Sequence, residues 1–324
     1  MSFVGGGSDL PSYYLKHGGA VVSTSIDKYI NVVVNPKFDQ RIRVSYSKTE
    51  NCDSAEQVQH PIVRECLRML GISRGIEIAS LADIPASGTG LGSSSAFAVG
   101  LLHALYTHLG RQPTKHQLGR ESCHIEIDVC KEPIGKQDQY AAAFGGLNFI
   151  RFNPDGTVDV EPLDCSEAVL NRIESCILAF YTGIERSASH LLKEQNKVME
   201  EGQKINSIKE MVRLAEQLRD ELRHGNADAV GSLMHQGWLL KRGISDNISN
   251  SHIDDWYQRG YNAGATGGKL LGAGAGGFLV FYAEPDHHVA IRQALSDLKP
   301  LKFGLDRDGS KIIFCDNRFF ARQI

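Results

Sequence analysis

The sequence predicts two domains in which helices and strands are mixed, and three observations support this. The chain has 324 residues, a length that fits one large or two ordinary domains. Runs rich in β-branched residues recur along it, interspersed with stretches whose apolar residues recur at helical spacing. A turn signal, Asn153-Pro154-Asp155-Gly156, lies near the middle. We therefore expect residues 1–155 and 156–324 to form the two domains.

In the first half, the apolar pattern predicts each element in turn. Strands are expected over 20–26, 30–34, 41–46, 76–79 and 145–152, because these runs combine β-branched residues with partial alternation. Helices are expected over 58–70, 93–105 and 117–130. The first has apolar residues at helical spacing and stops at Gly71, and the second begins at three serines, which are common N-cap residues.

In the second half, the same criteria predict a strand over 177–181. Two helical stretches follow, over 188–224 with a break and over 227–241. A glycine-rich segment, 264–277, runs into a strand over 278–282, and a last helix is expected over 287–298. The predicted architecture is thus sheets covered by helices in both halves.

Composition and charge exclude several classes of protein. The chain is 42% hydrophobic and 23% charged, which is typical of globular proteins, and its net charge of -3 favours neither nucleic acid nor an anionic membrane as a partner. Seven cysteines without CxxC spacing indicate reduced thiols. With no signal peptide pattern and no long apolar stretch, we expect a cytoplasmic protein. As a separate expectation, its partner is a small molecule, and it is a monomer or a homodimer.

The most informative segment is Pro85-Ala86-Ser87-Gly88-Thr89-Gly90-Leu91-Gly92, followed by Ser93-Ser94-Ser95. Glycines allow backbone N–H groups to converge on an anion, and the helix that begins at the serines adds the positive end of its dipole. Serine hydroxyls at that position are able to reach a phosphate oxygen or a Mg²⁺ ion. The segment therefore predicts a cradle for a nucleotide triphosphate, with a plain glycine-rich loop and a capped helix as the alternative.

Two other nucleotide motifs are excluded. No Lys-Ser or Lys-Thr follows the glycines, so this is not a Walker A loop. Gly272-Ala273-Gly274-Ala275-Gly276-Gly277 fits G-x-G-x-x-G, but it runs into a predicted strand, whereas the dinucleotide motif opens a helix. We therefore reject an NAD site.

Three segments together resemble the GHMP kinases, a family that includes galactokinase, homoserine kinase, mevalonate kinase and phosphomevalonate kinase. The string from Pro85 to Ser94 resembles the family's phosphate-binding motif, 272–277 is similar to its third motif, and Gly5-Gly6-Gly7-Ser8-Asp9 is similar to the first motif of its sugar-kinase branch. The resemblance spans nearly the whole chain. It implies an α+β, two-domain GHMP kinase fold, with an N-terminal domain like one of the small ribosomal subunit proteins and a ferredoxin-like C-terminal domain. ATP and substrate would bind in the cleft between them.

Within this family the chain is most similar to the heptose kinases. The strings that carry this similarity are 5–11, 23–29 and Gly135-Lys136-Gln137-Asp138-Gln139-Tyr140. The resemblance implies phosphorylation of the anomeric hydroxyl of a heptose 7-phosphate, for nucleotide-activated heptose synthesis. Fucokinase-type enzymes share much of the pattern, so a fucokinase or another hexose 1-kinase is an alternative function. A non-catalytic sugar or nucleotide sensor and a decarboxylase of the same superfamily are further alternatives.

Two carboxylates are the candidates for chemistry. The spacing of Glu126, Pro133, Gly135 and Asp138 resembles that of galactokinase. The resemblance implies that Glu126 binds Mg²⁺ with Ser94 or Ser93, and that Asp138 accepts the proton of the sugar hydroxyl. A hard cation needs few protein oxygens because it keeps several waters, and an aspartate within hydrogen-bond reach is a suitable base.

Each assignment has a simpler alternative. Glu126 is alternatively a solvated charge on a helix face, Asp138 a helix cap, and Asp128 a rival for the metal role. Lys136, beside the proposed base, would lower the pKa of Asp138 or hold a substrate phosphate, and a surface lysine is an equal alternative.

The resemblance also implies a substrate site. Asp9 would accept a hydrogen bond from a sugar hydroxyl, and the surrounding backbone would approach the sugar closely at Gly6, Gly7, Ser8, Gly274 and Gly276. The alternative for Asp9 is a cap on a helix through Tyr13 and Tyr14. Candidates for holding a substrate phosphate are Lys28, Arg41, Arg43 and Lys48, although solvated charge is favoured for each. Gly268 and Lys269 would close the site, with a structural role favoured for Lys269.

The chain departs from the family at its start. Family members carry a further strand with a basic residue ahead of the first glycine motif, whereas Met1-Ser2-Phe3-Val4 directly precedes that motif here. We expect the usual strand and its cation to be absent, unless another residue substitutes for the cation. A chain extended at its N-terminus is then expected to be more active or more stable.

Overall fold

The computed structural model describes residues 1–84, 90–184, 192, 204–245 and 247–316. Helices and strands alternate through these ranges, as the sequence predicts. Among the described residues no helix is long and apolar enough to cross a membrane.

The first half contains most of the predicted elements and several that the sequence did not indicate. Its strands are β1 Ser2–Val4, β2 Gly19–Ile26, β3 Ile30–Pro36, β4 Ile42–Ser45, β5 Thr49–Cys52, β6 Ile76–Ala82 and β7 Leu147–Phe152. Its helices are α1 Pro11–His17, α2 Pro61–Leu70, α3 Ser93–His108, α4 Lys115–Cys123, a π-helix His124–Val129 and α5 Gln137–Phe144.

The second half is built mainly from helices on one sheet. Its strands are β8 Val158–Pro162, β9 Ile177–Tyr181, β10 Ala265–Leu270, β11 Phe278–Ala283, β12 Lys299–Leu301 and β13 Leu305–Asp306. Its helices are α6 Glu167–Cys176, α7 Ile205–Arg223, α8 Ala229–Arg242, α9 Ser251–Asn262 and α10 His288–Ala294. Most of the predicted helical stretch 188–203 lies outside the described residues.

Three sheets organise the described chain. Their strand orders are β1-β2-β7-β8 with β13 on β2, β3-β6-β4-β5, and β10-β11-β9-β12. All pairs are antiparallel except β4 with β6. Helices α2 and α3 cover one face of the second sheet and share its apolar core.

One hydrophobic core joins the two halves. Phe149 and Val22 of the first sheet pack in the same buried cluster as Leu214 and Leu218 of α7 and Val280 of β11. The amphipathic helix α7 therefore buries its apolar stripe between sheets from both halves. This shared core fixes the position of the loops that meet above it.

The predicted turn at 153–156 is confirmed, but it closes a hairpin. Strand β8 pairs with β7 directly after it, with Phe152 opposite Val158. Strand β13, near the end of the described chain, returns to pair with β2. The first sheet therefore extends beyond residue 155 and takes in strands from both sides of this turn.

The expectation that no strand precedes the glycine motif is wrong in one respect. Ser2–Val4 forms a three-residue strand that pairs with β2. This short strand carries no basic side chain of its own. Instead, a lysine from β10 donates a hydrogen bond to it, from Lys269 Nζ to Ser2 O at 2.9 Å.

Candidate active site

The glycine-serine segment forms a turn that enters α3 through Gly92. This residue is the N-cap of α3 and has φ 72° and ψ 26°, a left-handed conformation that favours glycine. Gly92 has no side chain to cap α3, and within the described ranges no acceptor is recorded for the first N–H groups of this helix. The cap is therefore Gly92 and not a serine. Of the predicted phosphate-binding residues, Pro85 and Gly88 lie outside the described residues.

The turn lies directly against the predicted base. A Cβ built on Gly92 would be 3.0 Å from Asp138 Cγ, so only glycine leaves room for the carboxylate. Gly90 lies against the second glycine segment, because a Cβ built on Gly272 would be 2.5 Å from Gly90 Cα. Three segments distant in sequence thus meet at one place.

The serines of α3 bind Glu126. Ser94 Oγ donates a hydrogen bond to Glu126 Oε1 at 2.7 Å, and Gln139 Nε2 donates one to Oε2 at 2.7 Å. Glu126 is fully buried, which excludes the solvated helix-face alternative. Burial raises the pKa of Glu126, while hydrogen bonds from Ser94, Gln139 and Ser95 lower it.

A π-helical turn places Glu126 inside the protein. Cys130 N donates to Ile125 O at 2.8 Å, a bond over five residues that widens the helix here. Asp128, the rival metal ligand, lies on the exposed side of this turn and pairs with His124 at 3.0 Å. It is therefore not part of the site.

Asp138 lies in the first turn of α5. Asp138 is exposed to solvent, but the surrounding protein still desolvates its carboxyl group. Desolvation raises the pKa of Asp138 to about 6. The amino group of Met1 opposes this rise, Asp9 adds to it, and Lys241 and Lys269 lower the pKa. The carboxyl group is thus tuned close to neutral pH.

Asp9 is held near the start of the same helix. Its carboxylate is 3% exposed and accepts hydrogen bonds from Gly7 N at 3.0 Å and Gln137 N at 3.3 Å. Burial raises the pKa of Asp9, while these bonds and Lys241 lower it. The alternative of a cap on α1 is excluded, since Leu10 is the N-cap there.

Three predicted substrate residues have structural roles instead. Ser8 Oγ is buried and bonded to Gly5 O and to the backbone of Ala20. Gly274 and Gly276 are buried, and Cβ atoms built on them would clash with the backbones of Ile248 and Ile184. The exposed glycine of this segment is Gly272. Gly6, by contrast, lies next to the Gln137 side chain at the edge of the site.

Lys136 is bonded away from Asp138. Its Nζ donates to Gly156 O at 2.7 Å and lies 4.9 Å from the centre of the Tyr14 ring. These contacts fasten the start of α5 to the hairpin turn. They favour the structural alternative for Lys136 over a role in tuning the base.

The predicted phosphate ligands of the early strands belong to the sheet β3-β6-β4-β5 or its ends. Three form ion pairs: Lys28 with Asp27 at 2.6 Å, Arg41 with Asp53 at 2.9 Å and Arg43 with Glu77 at 3.4 Å. Lys48 lies exposed in the turn between β4 and β5. These contacts agree with the favoured interpretation, in which the residues are solvated or paired charges of the strands.

Two buried lysines lie near the site: Lys269, for which the sequence favoured a structural role, and Lys241, which sequence reasoning missed. Lys241 on α8 is 6% exposed and Lys269 on β10 is 5% exposed. Both interact electrostatically with Asp9 and Asp138. The sequence did carry a signal for both: Lys269 lies in a predominantly uncharged strand and Lys241 on a largely buried helix. Because lysine is rarely buried without a partner, such positions indicate a nearby acceptor or carboxylate.

The arrangement offers oxygen ligands but no preformed metal cage. Among the described residues no group of three or more histidine, cysteine or acidic side chains is placed to hold a metal ion. Ser94 and Glu126 offer one hydroxyl and one carboxylate beside the open helix end. Chemically, the site combines backbone N–H groups at a helix start, a serine hydroxyl and the carboxyl groups of Glu126 and Asp138.

Comparison with known proteins gives the family. The family model described as the GHMP kinases N terminal domain matches residues 58–146, and the model described as GHMP kinases C terminal matches residues 218–300. Together these matches cover more than half of the chain.

Two curated relatives are similar over nearly the whole chain. A D-glycero-alpha-D-manno-heptose 7-phosphate kinase of Campylobacter jejuni is 26% identical over 91% of this chain and 90% of its own length. A bifunctional fucokinase/GDP-fucose pyrophosphorylase of Arabidopsis thaliana is 25% identical over 92% of this chain, but over only 30% of its own length.

Solved structures share the fold. The crystal structure of a D-glycero-D-manno-heptose 1-phosphate kinase from Bacteroides thetaiotaomicron superposes with a TM-score of 0.79 at 23% identity, covering 97% of both chains. A galactokinase of Lactococcus lactis superposes with a TM-score of 0.71 at 16% identity, covering 95% of this chain and 91% of the other. The two family models and the α+β, two-domain architecture agree, and the chain belongs to the GHMP kinase family of phosphotransferases.

Proposed function

We propose that this protein is an ATP- and Mg²⁺-dependent sugar kinase that phosphorylates the anomeric hydroxyl of D-glycero-D-manno-heptose 7-phosphate to the 1,7-bisphosphate. The observation that supports the proposal is the contact of Gly92 with Asp138, since it brings a carboxyl group next to the N-terminus of α3. The substrate follows from the similarity to the heptose 7-phosphate kinase of Campylobacter jejuni over nearly the full length of both chains. We further propose a cytoplasmic enzyme, monomeric or homodimeric.

The nucleotide phosphates would bind at the start of α3. The N–H groups of Ser93, Ser94 and Ser95 belong to its first turn, where they have no intrahelical acceptor. The helix dipole and the left-handed turns at Gly90 and Gly92 favour an anion at this end. These backbone groups would hold and orient the phosphates.

The residues present fit a Mg²⁺ ion that accompanies the nucleotide. Ser94 Oγ is exposed to the cleft and Glu126 Oε1 is its partner, so one hydroxyl and one carboxylate are available to a hard cation. When bound, the ion would neutralise charge on the phosphates. Glu126 is itself fixed by Gln139, which keeps the pair oriented before any ligand arrives.

Asp138 would accept the proton of the sugar hydroxyl as the new bond to phosphorus forms. A base works best when its pKa is near the operating pH, and the pKa of Asp138 is about 6. Asp9, held by two backbone N–H groups, would accept a hydrogen bond from a second hydroxyl of the sugar and fix its orientation.

A panel of acceptors tests the proposal. ADP release would be measured with heptose 7-phosphate, fucose, galactose and mannose, and with Asp138→Asn as the control. We expect release only with wild type, and with the highest kcat/KM for heptose 7-phosphate. A preference for fucose would overturn the assignment of heptose 7-phosphate as substrate and favour a fucokinase activity like that of two relatives. Equal activity of Asp138→Asn would remove the assigned base, and no release with any sugar would favour a sensor.

A further inference from the structure

Two buried lysines are unused by the mechanism above. Lys241 lies near the end of α8 and Lys269 lies in β10, so both come from the second half of the chain. Lys241 Nζ donates a hydrogen bond to Gly272 O, and Lys269 Nζ donates to Ser2 O at 2.9 Å. An ammonium group has three donors, so these backbone partners leave donors of each lysine available to other groups.

Both lysines connect to Asp138 through short chains of contacts. The acceptor of Lys241, Gly272, lies on Gly90, and two residues further along the turn Gly92 touches Asp138. The acceptor of Lys269, Ser2, lies beside Gly6, since a Cβ built on Gly6 would be 3.6 Å from Ser2 Oγ. Gly6 in turn lies beside the side chain of Gln137, the neighbour of Asp138.

Charged groups from several separate elements act on Asp138. The positive groups are Lys241, Lys269 and the amino group of Met1, which is bonded to Thr24 O at 2.9 Å. The negative groups are Asp9 and, deeper behind Ser94, Glu126. With two carboxylates nearby, an ionised Asp138 depends on these cations, because like charges disfavour ionisation and opposite charges favour it.

We propose that Lys241 and Lys269 are positioning residues whose charge keeps Asp138 ionised as the proton acceptor of the reaction. The second half of the chain thereby sets the state of a base that the first half carries. This inference rests on the proposed function for its catalytic meaning, but not for its electrostatics.

A purely structural role is the competing explanation, since each lysine also fastens a backbone carbonyl. The lysines themselves are sensitive to their surroundings: burial lowers the pKa of Lys241 to about 8, and burial together with Lys241 lowers that of Lys269 to about 7. Arginine would keep the charge at any pH used, whereas methionine removes the charge and keeps much of the length. The two substitutions therefore separate charge from packing.

The first experiment is the pH profile of kcat/KM for wild type, Lys241→Met, Lys269→Met, the double methionine variant and Lys269→Arg. We expect the acidic limb to move to higher pH by several tenths of a unit in each single methionine variant and by about one unit in the double variant. Lys269→Arg should keep the limb at its wild-type position. Lys115→Met is the control, because Lys115 also donates to backbone carbonyls, of Phe144 and Asp308, but lies exposed at the start of α4.

The second experiment needs no activity. The carboxyl resonance of Asp138 would be titrated by ¹³C NMR and identified by its loss in Asp138→Asn, with thermal melting as a check on folding. An upward shift of this titration in the methionine variants supports the inference even if no sugar is phosphorylated, an outcome that would refute the proposed function alone. Folded methionine variants with an unmoved carboxyl titration would overturn the inference, whatever their activity.

Discussion

Ser94 donates a 2.7 Å hydrogen bond to Glu126 across 32 positions of sequence. It joins the first turn of α3 to the π-helix that follows α4. Because Glu126 is buried, the bond orients a carboxylate toward the open helix end before a ligand binds. This pre-organisation is the source of our first prediction.

Glu126→Gln is expected to lower kcat by about 10²-fold or more and to weaken the dependence of the rate on Mg²⁺. Glutamine keeps the shape of the side chain but loses the charge that a divalent cation needs. Rates at a series of Mg²⁺ concentrations measure this, and Glu121→Gln is the control, since Glu121 is a helix carboxylate bonded to Tyr106 at 2.8 Å. An unchanged Mg²⁺ response in Glu126→Gln would disprove the metal role.

Asp138→Asn is expected to abolish most activity, by about 10²–10⁴-fold, while raising the melting temperature at pH 8. The native pKa of about 6 lies above the ordinary 3.8, so the folded protein binds the proton more tightly than the unfolded chain. The ionised carboxylate therefore costs stability above about pH 6, and this cost disappears as the pH falls toward 4.

Thermal melting of both proteins between pH 4 and pH 8 checks the stability part of this prediction. The gap between variant and wild type should be largest at pH 8 and should close at acidic pH. Asp128→Asn, at an exposed carboxylate on the π-helix, should show no comparable change. A gap that widened on acidification would contradict the assigned direction of the pKa shift.

Gly92→Ala is expected to reduce kcat far more than its effect on stability suggests. The new Cβ would be 3.0 Å from Asp138 Cγ and would displace the carboxylate. Gly71→Ala is a matched control, because Gly71 has the same φ of 72° and nothing within 4 Å of its Cβ position. Both variants should lose about 1 kcal/mol of stability from backbone strain, and only Gly92→Ala should lose activity.

Asp9→Asn is expected to raise the KM for the sugar at least tenfold with little change in nucleotide affinity. Asp9 accepts hydrogen bonds from the N–H groups of Gly7 and Gln137. In the variant, one of these N–H groups would face an amide NH₂ and lose its acceptor. Steady-state kinetics with each substrate varied separately measure the effect. Asp155→Asn is the control, since Asp155 accepts Thr157 N at 2.9 Å in an exposed turn; an effect on nucleotide KM alone would refute the sugar role.

Much of the fold follows from local pattern, because strong periodicity and glycine punctuation mark element ends. The strand at 177–181 has the bounds that the sequence predicts, and the helix from Ser93 begins where the serines indicate. Short elements escaped this reasoning. Strand β13 has two residues and exists only through its pairing with β2, a contact about 280 positions away that no local pattern encodes.

The candidate site was partly predictable for a related reason. The glycine-serine turn, Glu126 and Asp138 are visible as a spacing because they lie within one continuous half of the chain. The proximity of Lys241 and Lys269 to Asp138 is not visible as a spacing, since it depends on how the two halves pack. Lys136 is close to Asp138 in sequence, but its Nζ donates to Gly156 O in the hairpin turn, a contact that no local pattern predicts.

The bare backbones at Gly90 and Gly272 set a limit on motion. They already touch, so the two halves have no room to move closer along this line. At this contact the two segments are able only to separate or to slide past each other. Replacing either glycine by alanine would put a methyl group into this contact and keep the two segments permanently apart.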